Sequence, residues 1–421
     1  MLREAETEAE ERYSQQIRFA PIGAQGQRRL GEASVLVVGA GALGASLAQH
    51  MVRAGVGRLR LVDRDYVELS NLHRQTLYDE EDAEAALPKA VAAAAKLRRV
   101  NGRARIEAFV ADVDRRNAES LAADVDLVLD GTDNAATRLL LSDACFSRGI
   151  PLVYGGVAGS GGMTALLVPG DHCCLRCLLG EEAPGGEDGP TCDTLGVISP
   201  AVEMVAALQA AEALKALTGN RSALRGTWLT VDAWHFSVKE WKLPPPVEPC
   251  PYCGWGESAA AARRELAEHG DSFRLSANGE RAKEQNATEA ALLCVRRAVA
   301  AEDVSIADRS ESATGNALFG DDREAAKLIV LCGRDTFQLA LKPSVSLSEW
   351  RRRLVAAGCA ITADNRYLLR ASTAAEERIV IFAEGRALIQ GAGEPERAME
   401  IYRHYLSDGT GREADETSVG F

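Results

Sequence analysis

Gly39, Gly41 and Gly44 carry the GxGxxG spacing of a phosphate-binding turn. Glycine at such points lets the backbone turn tightly and approach a phosphate, whose charge is then met by the first amides of the following helix. Asp63 stands nineteen residues after Gly44, the interval at which an acidic side chain can hydrogen-bond a ribose hydroxyl. These four residues imply a nucleotide and leave hydride transfer and phosphate chemistry both open. The polar run Asn71-Leu72-His73-Arg74-Gln75, with Lys89 beyond it, points toward phosphate. Negative charge developing at phosphorus needs cations held in place, whereas hydride transfer has no use for them there. The competing reading is a solvated surface turn, and the position of the run just behind the glycine turn favours function.

Asp130 and Asp133, in Asp130-Gly131-Thr132-Asp133-Asn134, are hard oxygen donors suited to Mg2+, or else the cap and turn residues that aspartates commonly are. We favour the metal role for Asp133 and leave Asp130 between the two. Cys174-x-x-Cys177 and Cys250-x-x-Cys253 together spell a four-thiolate tetrahedral zinc site, closed and therefore structural, with a thiol redox couple as the rival. Cys173 beside Cys174 leaves open which sulfur binds. Cys192 lies in a Gly- and Pro-rich loop and belongs to neither pair; it is either a thiolate that attacks an activated acyl group or takes part in sulfur transfer, or a spare loop cysteine. Cys145, Cys294, Cys332 and Cys359 fall in apolar stretches and read as core.

The elements that must position these residues follow from hydrophobic periodicity. Short β-branched runs predict buried strands over 34–38, 58–62, 106–110, 125–129 and 151–156, and helices over 42–54, 88–100, 117–122 and 138–147 alternate with them. Such alternation predicts an α/β fold with a doubly wound, mostly parallel, Rossmann-like sheet. Ligands of such sheets sit at the carboxyl ends of the strands, where Gly39, Asp63, Asp130 and Asp133 all fall. A long apolar helix over 201–217 and strands within 227–241 follow, and the proline-rich 243–249 reads as a linker or domain edge. The expected organisation is a nucleotide-binding domain with a zinc knuckle over 1–255, then an insertion over 256–327 that is helical at 258–269 and 287–301 and disordered at 308–322. A small α+β domain over 328–406 has a strand at 328–332, a strand at 337–341, a helix at 346–357, three short strands ending near Gln390 and a final helix at 395–406, before a tail at 407–421.

Composition narrows the setting. A hydrophobic fraction of 46% with 26% charged residues over 421 positions is that of an ordinary globular protein with room for two or three domains. A net charge of −13 disfavours nucleic acid or an anionic membrane as the main partner. No window approaches eighteen uninterrupted apolar residues, and the charged start MLREAETEAEERYS lacks the apolar core of a signal peptide. The ten cysteines are clustered rather than dispersed, which suits metal or catalysis in a reducing compartment. A cytoplasmic location is expected.

The stretches RYSQQIRFAPIG, VLVVGAGALG, DRDYVELSNLHRQTLY, LPKA, DGTDN, CLRCLLG, TCDTLGVISP and CPYCG resemble, in order and spacing, the MoeB/ThiF/HesA family of ubiquitin-activating-enzyme-like proteins. The resemblance covers about residues 11–255, and 328–406 is similar to an appendage on some longer members. It implies ATP-dependent adenylation of the C-terminal glycine of a ubiquitin-like sulfur carrier of the ThiS/MoaD type, for sulfur transfer in thiamine or molybdenum-cofactor biosynthesis, by a homodimer. It also implies roles: Gly39, Gly41 and Gly44 under the ATP phosphates, Asp63 on the ribose, Asn71, Arg74 and Lys89 against the transferring phosphate, and Asp133 on Mg2+. Cys174, Cys177, Cys250 and Cys253 would hold Zn2+, and Cys192 matches a cysteine that some members link covalently to the carrier. One departure stands out. Members have arginine where this chain has Gln15, a side chain that reaches the partner subunit's ATP site and that Arg12 and Arg18 do not match in position. Two other readings are carried: an NAD-dependent oxidoreductase, from the glycine turn and Asp63 alone, and a degenerate nucleotide-binding partner protein, from Gln15 and the insertion.

Overall fold

The computed structural model describes residues 11–180, 195–248, 250–255, 328–331, 335–341 and 345–407. The chain divides into two compact units, residues 1–310 and 311–421. Cys192, Cys294, Cys332, the 256–327 insertion with its expected helices, and the tail beyond 407 lie outside the described residues.

The first unit is built on an eight-stranded sheet in the order β3-β2-β1-β4-β5-β6-β7-β8. Its strands are β1 (Ser34–Val38), β2 (Arg58–Asp63), β3 (Arg105–Val110), β4 (Leu127–Asp130), β5 (Leu152–Ala158), β6 (Gly161–Leu167), β7 (Thr227–Asp232) and β8 (Ser237–Lys242). The five strands from β3 to β5 in that order pair in parallel, and the apolar runs of β1 and β4 are those of strands covered on both faces. Every residue of β1 is buried. The strand order reverses between β1 and β4, and that reversal opens a crevice at the carboxyl ends of β1, β2 and β4.

The sheet is mostly parallel, as expected, and its last three pairings, β5 with β6, β6 with β7 and β7 with β8, are antiparallel. The expected glycine-rich run after 156 is a tight hairpin: β5 extends to Ala158, Gly159 turns at a φ of 60°, and β6 begins at Gly161. Strand β6 starts Gly-Gly, so its first residues lack the β-branched signature that marks a strand.

Helices cover both faces. Helix α1 (Ser14–Arg18) and α2 (Gly23–Glu32) precede β1; α3 (Ala42–Ala54) follows it and ends at Gly55, whose left-handed φ of 91° caps it. Next come α4 (Glu80–Glu84), α5 (Lys89–Val100), α6 (Ala118–Leu121), α7 (Ala135–Arg148), α8 (Leu175–Leu179) and α9 (Ser199–Thr218). Helix α9 packs on α3, β5 and β6. Its buried Gln209 donates to the Asp130 carbonyl (3.0 Å) and the Val153 carbonyl (3.3 Å), stitching the ends of β4 and β5 where the sheet would otherwise have unpaired groups. A Cβ on Gly155 would strike this amide, so the glycine makes the room.

The second unit is a six-stranded antiparallel sheet in the order β11-β12-β13-β14-β10-β9. Its elements are β9 (Ile329–Leu331), β10 (Thr336–Ala340), α10 (Leu347–Ala356), β11 (Ala360–Asp364), β12 (Leu368–Ser372), β13 (Arg378–Phe382), β14 (Arg386–Gln390) and α11 (Pro395–Ile401). Four strands follow α10 rather than the expected three, because 360–364 pairs as an edge strand despite its mostly exposed face. Ser346 caps α10 by accepting from the Glu349 amide. The final helix is α-helical only to Ile401 and closes with a π-turn over Tyr402–Leu406. Phe337, Trp350, Leu354, Ile379, Ile381 and Ile389 form its core.

Candidate nucleotide and metal sites

The glycine turn joins β1 to α3 at the crevice, and its three glycines do different work. Gly39 has a φ of 84°, and a Cβ there would lie 2.6 Å from the Gly131 carbonyl oxygen, so it lets the turn nest against the loop after β4. A Cβ on Gly44 would fall 1.7 Å from the Gly39 carbonyl oxygen, so that position admits only glycine for packing. Gly41 is the open one: a Cβ there would meet only Gln75 Nε2, at 3.8 Å. It is also the N-cap of α3 and makes no side-chain cap, so the first amides of the helix face the crevice available to an anion. We therefore expect Gly44→Ala to lower stability by several kcal/mol, on the order of an overpacked core site. Gly41→Ala should melt within a few degrees of the parent while nucleotide affinity falls at least tenfold; parallel melting and equilibrium binding separate the two.

Asp63 closes β2 beside this turn. Its Oδ2 accepts from the Ala40 amide and its Oδ1 from the Asp65 amide, both at 2.6 Å. Burial pushes its carboxyl above the usual range, against the pull of Lys89. Each oxygen keeps a lone pair, so bracing the turn is compatible with binding a ribose hydroxyl.

Lys89 opens α5. A lone bridge between Tyr66 and Pro88 and a bond from the Lys89 amide to the Asp65 carbonyl (2.8 Å) draw the helix start to the end of β2. The lysine side chain is 3% exposed, with Nζ 3.2 Å from Asp65 Oδ2. Arg64, next in line, lies 3.1 Å from Asp112; burial works against its charge, but Asp65, Asp112 and Asp133 hold its pKa above the ordinary value.

The polar run folds into a 3-10 turn, Leu69–Asn71, and the Asn71 carbonyl accepts from the Arg74 and Gln75 amides. Asn71 and Gln75 are buried, yet among the described residues neither Asn71 Oδ1 nor Gln75 Oε1 has a hydrogen-bond partner. A buried acceptor of this kind calls for a partner, which water or a bound group can supply. Arg74 is partly exposed and donates to the Ser70 carbonyl (3.1 Å).

The two aspartates after β4 separate. Asp130 is fully buried; Oδ1 accepts from the Thr132 amide (2.9 Å) and hydroxyl (2.7 Å), and Oδ2 lies 3.7 Å from Arg138 Nε. Burial raises its pKa against Arg138. These bonds shape the turn after β4. Asp133 is exposed at the mouth of the crevice, and Asn134 caps α7 by accepting from the Thr137 amide (2.8 Å).

The cysteine cluster lies apart, where α8 meets the strap after β8. The Sγ atoms of Cys174, Cys177, Cys250 and Cys253 lie within 4.8 Å of one another, and three of the separations are 3.7 Å. Four sulfurs about 2.3 Å from a central zinc stand about 3.8 Å apart, so three of the separations match a tetrahedral zinc site and the donor set suits the ion. Cys173 stays outside the cluster and its amide donates to the Pro244 carbonyl (3.0 Å). The strap 243–248 is therefore not a linker: Leu243 is buried, and the Val247 amide points at Cys253 Sγ (3.5 Å). Arg176 donates from Nε and Nη2, one edge of its guanidinium, to both oxygens of Asp143 of α7 and covers the Tyr252 ring at 5.5 Å.

Thus the glycines, Asp63, Asn71, Arg74, Lys89 and Asp133 lie on the turns and element ends at the carboxyl edge of the parallel strands, and the four cysteines form a second site. Gln15 is exposed on α1, while Arg12 Nη1 is engaged with the Val100 carbonyl (3.1 Å). Sequence reasoning gave Gln75 no role beyond the run that contains it, and passed over Asp65, two residues after Asp63, and Tyr78, whose apolar neighbours Leu77 and Val67 disguise it as ordinary core.

A family model, the ThiF family, matches residues 13–252. The chain is 36% identical over 400 residues to the sulfur carrier protein ThiS adenylyltransferase of Bacillus subtilis, covering 94% of this chain and 99% of that relative. It is 41% identical over 247 residues to the SAMP-activating enzyme E1 of Haloferax volcanii, covering 58% of this chain and 89% of the relative. Among solved structures, E. coli MccB superposes with a TM-score of 0.51 at 19% identity, over 59% of this chain and 73% of that one, a likeness of fold.

Proposed function

We infer the activity from one premise: this chain belongs to the ThiF family. It is an adenylyltransferase of the ubiquitin-activating type that uses ATP to activate the C-terminal carboxylate of a ubiquitin-like sulfur-carrier protein. The observation that carries this reading is the convergence of an uncapped helix start, a buried lysine and two buried, unpartnered side-chain carbonyls on one crevice. A nicotinamide enzyme would leave Lys89, Arg74 and the cysteine site without work, so that alternative is not favoured.

In the proposed reaction a carboxylate oxygen of the carrier's terminal glycine forms a bond to the α-phosphorus, and the bridging P–O bond to the β-phosphate breaks, releasing pyrophosphate. The chain's part is positioning and charge. Gly41 leaves space for the phosphates at the start of α3, and Asp63 orients the ribose. Lys89, held by Asp65, and Arg74 stand against the transferring phosphoryl group, with Asn71 beside them. Asp133 would hold Mg2+, a hard ion that prefers such an oxygen donor and neutralises phosphate charge when bound. The four cysteines would hold Zn2+ as a structural clamp.

We propose a homodimer in which Gln15 occupies the place of a trans-acting arginine and supplies no charge. We further assign Cys192 as acceptor of the acyl group from the adenylate: its thiolate attacks the carbonyl and AMP leaves. The experiment is pyrophosphate exchange into ATP by zinc-loaded protein, stimulated by a ubiquitin-fold protein ending in Gly-Gly. Absence of exchange with every such carrier would sink the activity, and persistence of a thiol-labile carrier adduct in Cys192→Ala would sink the cysteine's assignment.

A further inference from the structure

We propose that the Tyr78 hydroxyl is a positioning group that holds the glycine turn and Lys89 in one register, so that the turn's amides and the lysine meet the same phosphate chain. The proposal rests on the ATP reading above. Tyr78 is 7% exposed, and its hydroxyl stands 2.6 Å from the Ala40 carbonyl oxygen and 3.2 Å from that of Lys89. A phenol has one proton; the shorter bond takes most of it, and the longer arm leans on the first residue of α5.

A buried tyrosine hydroxyl needs an acceptor somewhere, and any carbonyl would satisfy it. What sets Tyr78 apart is which acceptors it has. Ala40 lies inside the glycine turn, and its amide is already fixed by Asp63 Oδ2 at 2.6 Å. The residue is thus gripped at its N–H by Asp63 and at its carbonyl by Tyr78, leaving little freedom to the peptide that precedes the open Gly41. The second acceptor belongs to Lys89, whose ammonium group is buried beside Asp65. The tyrosine's own amide donates to the Gln75 carbonyl (3.1 Å), so its backbone is anchored in the run that carries Asn71 and Arg74. Three segments that line the crevice, distant in sequence, meet at one residue. Burial first, and then the carboxylates of Asp63 and Asp82, push the phenol well above its ordinary pKa, so it stays a donor.

The test is Tyr78→Phe in the full zinc-loaded chain, which removes one oxygen and keeps the ring. We expect the KM for ATP in carrier-stimulated exchange to rise about tenfold, the order expected when a buried carbonyl loses its partner. The ATP dissociation constant measured without carrier should rise with it, kcat should fall by a smaller factor, and zinc content should stay at the parent's level. Incorporating p-aminophenylalanine at position 78, which restores a donor at the same place and covers the case of a poorly folding Phe variant, should recover most of the loss. Unchanged KM and ATP affinity in Tyr78→Phe, whatever happens to its melting temperature, would overturn the proposal, as would a deficit that p-aminophenylalanine leaves untouched. If the parent binds ATP but shows no exchange with any carrier while Tyr78→Phe binds ATP tenfold more weakly, the adenylation reading fails and the positioning role stands.

Discussion

Arg74→Ala and Asp133→Ala are each expected to lose carrier-stimulated pyrophosphate exchange by a factor on the order of a thousand, while both still hold zinc. The size follows from what the groups face. Removing one preorganised partner of a developing anion costs roughly a hundred- to a thousandfold in rate, and a residue placing the metal on the phosphates sits at the upper end. The two residues are well suited to a clean test because neither supports the fold. Arg74 is partly exposed, and it bonds to Ser70 and His73 within its own turn. Asp133 is exposed, in contrast to Asp130 three residues earlier, which is buried and bonded into the turn. Asp130→Ala should therefore damage stability as well as rate, by removing the bonds to Thr132 and leaving Arg138 without its ion pair. Wild-type exchange in either Arg74→Ala or Asp133→Ala would show the assignment of roles to be wrong.

The second large effect is expected at the cysteines. Cys253→Ser should reduce bound zinc from one per chain to a small fraction and lower the melting temperature of the first unit by roughly 10 °C, the scale of a loss of a few kcal/mol in a unit of this size. The cluster is buried, with Cys174 fully enclosed and Cys253, the most open of the four, only 6% exposed. Four thiols at 3.7 Å satisfy each other poorly, and Val247 offers Cys253 an N–H donor of the sort that steadies a metal-bound thiolate. Without the ion, the strap 243–248 loses its tie to α8, and with it the cover over Trp228 and Tyr154, whose rings stack at 4.8 Å beneath. Zinc release under a chelator, followed by melting of the reduced protein, checks this. A reduced, metal-free chain with the parent's melting temperature would favour the redox reading of the two pairs.

How legible the site was depends on the range of the contacts that make it. The strands β1, β2 and β4 could be read because strands buried on both faces are continuous apolar runs, and the glycine turn because its chemistry is local. The cysteine site could be read across 76 residues because four thiolates have few other uses. Strand β6 could not, since two glycines erase its pattern, and neither could the strap, since prolines mark a linker and a buried turn alike.

The residue types and spacings of this chain alone determined that it carries a nucleotide site at a switch in an α/β sheet, that cations stand behind the glycine turn, and that two CxxC pairs form one four-cysteine cluster, because each of these is set by local geometry or by intrinsic chemistry. Only the tertiary structure decided that Asp130 is a shaping residue and Asp133 the exposed one, that Gly41 rather than Gly44 leaves room for a ligand, and that Asp63, Tyr78 and Asp65 brace the turn and the lysine. Those distinctions rest on burial and on hydrogen bonds between residues far apart in the chain, and no periodicity or motif carries the position of a partner on another element.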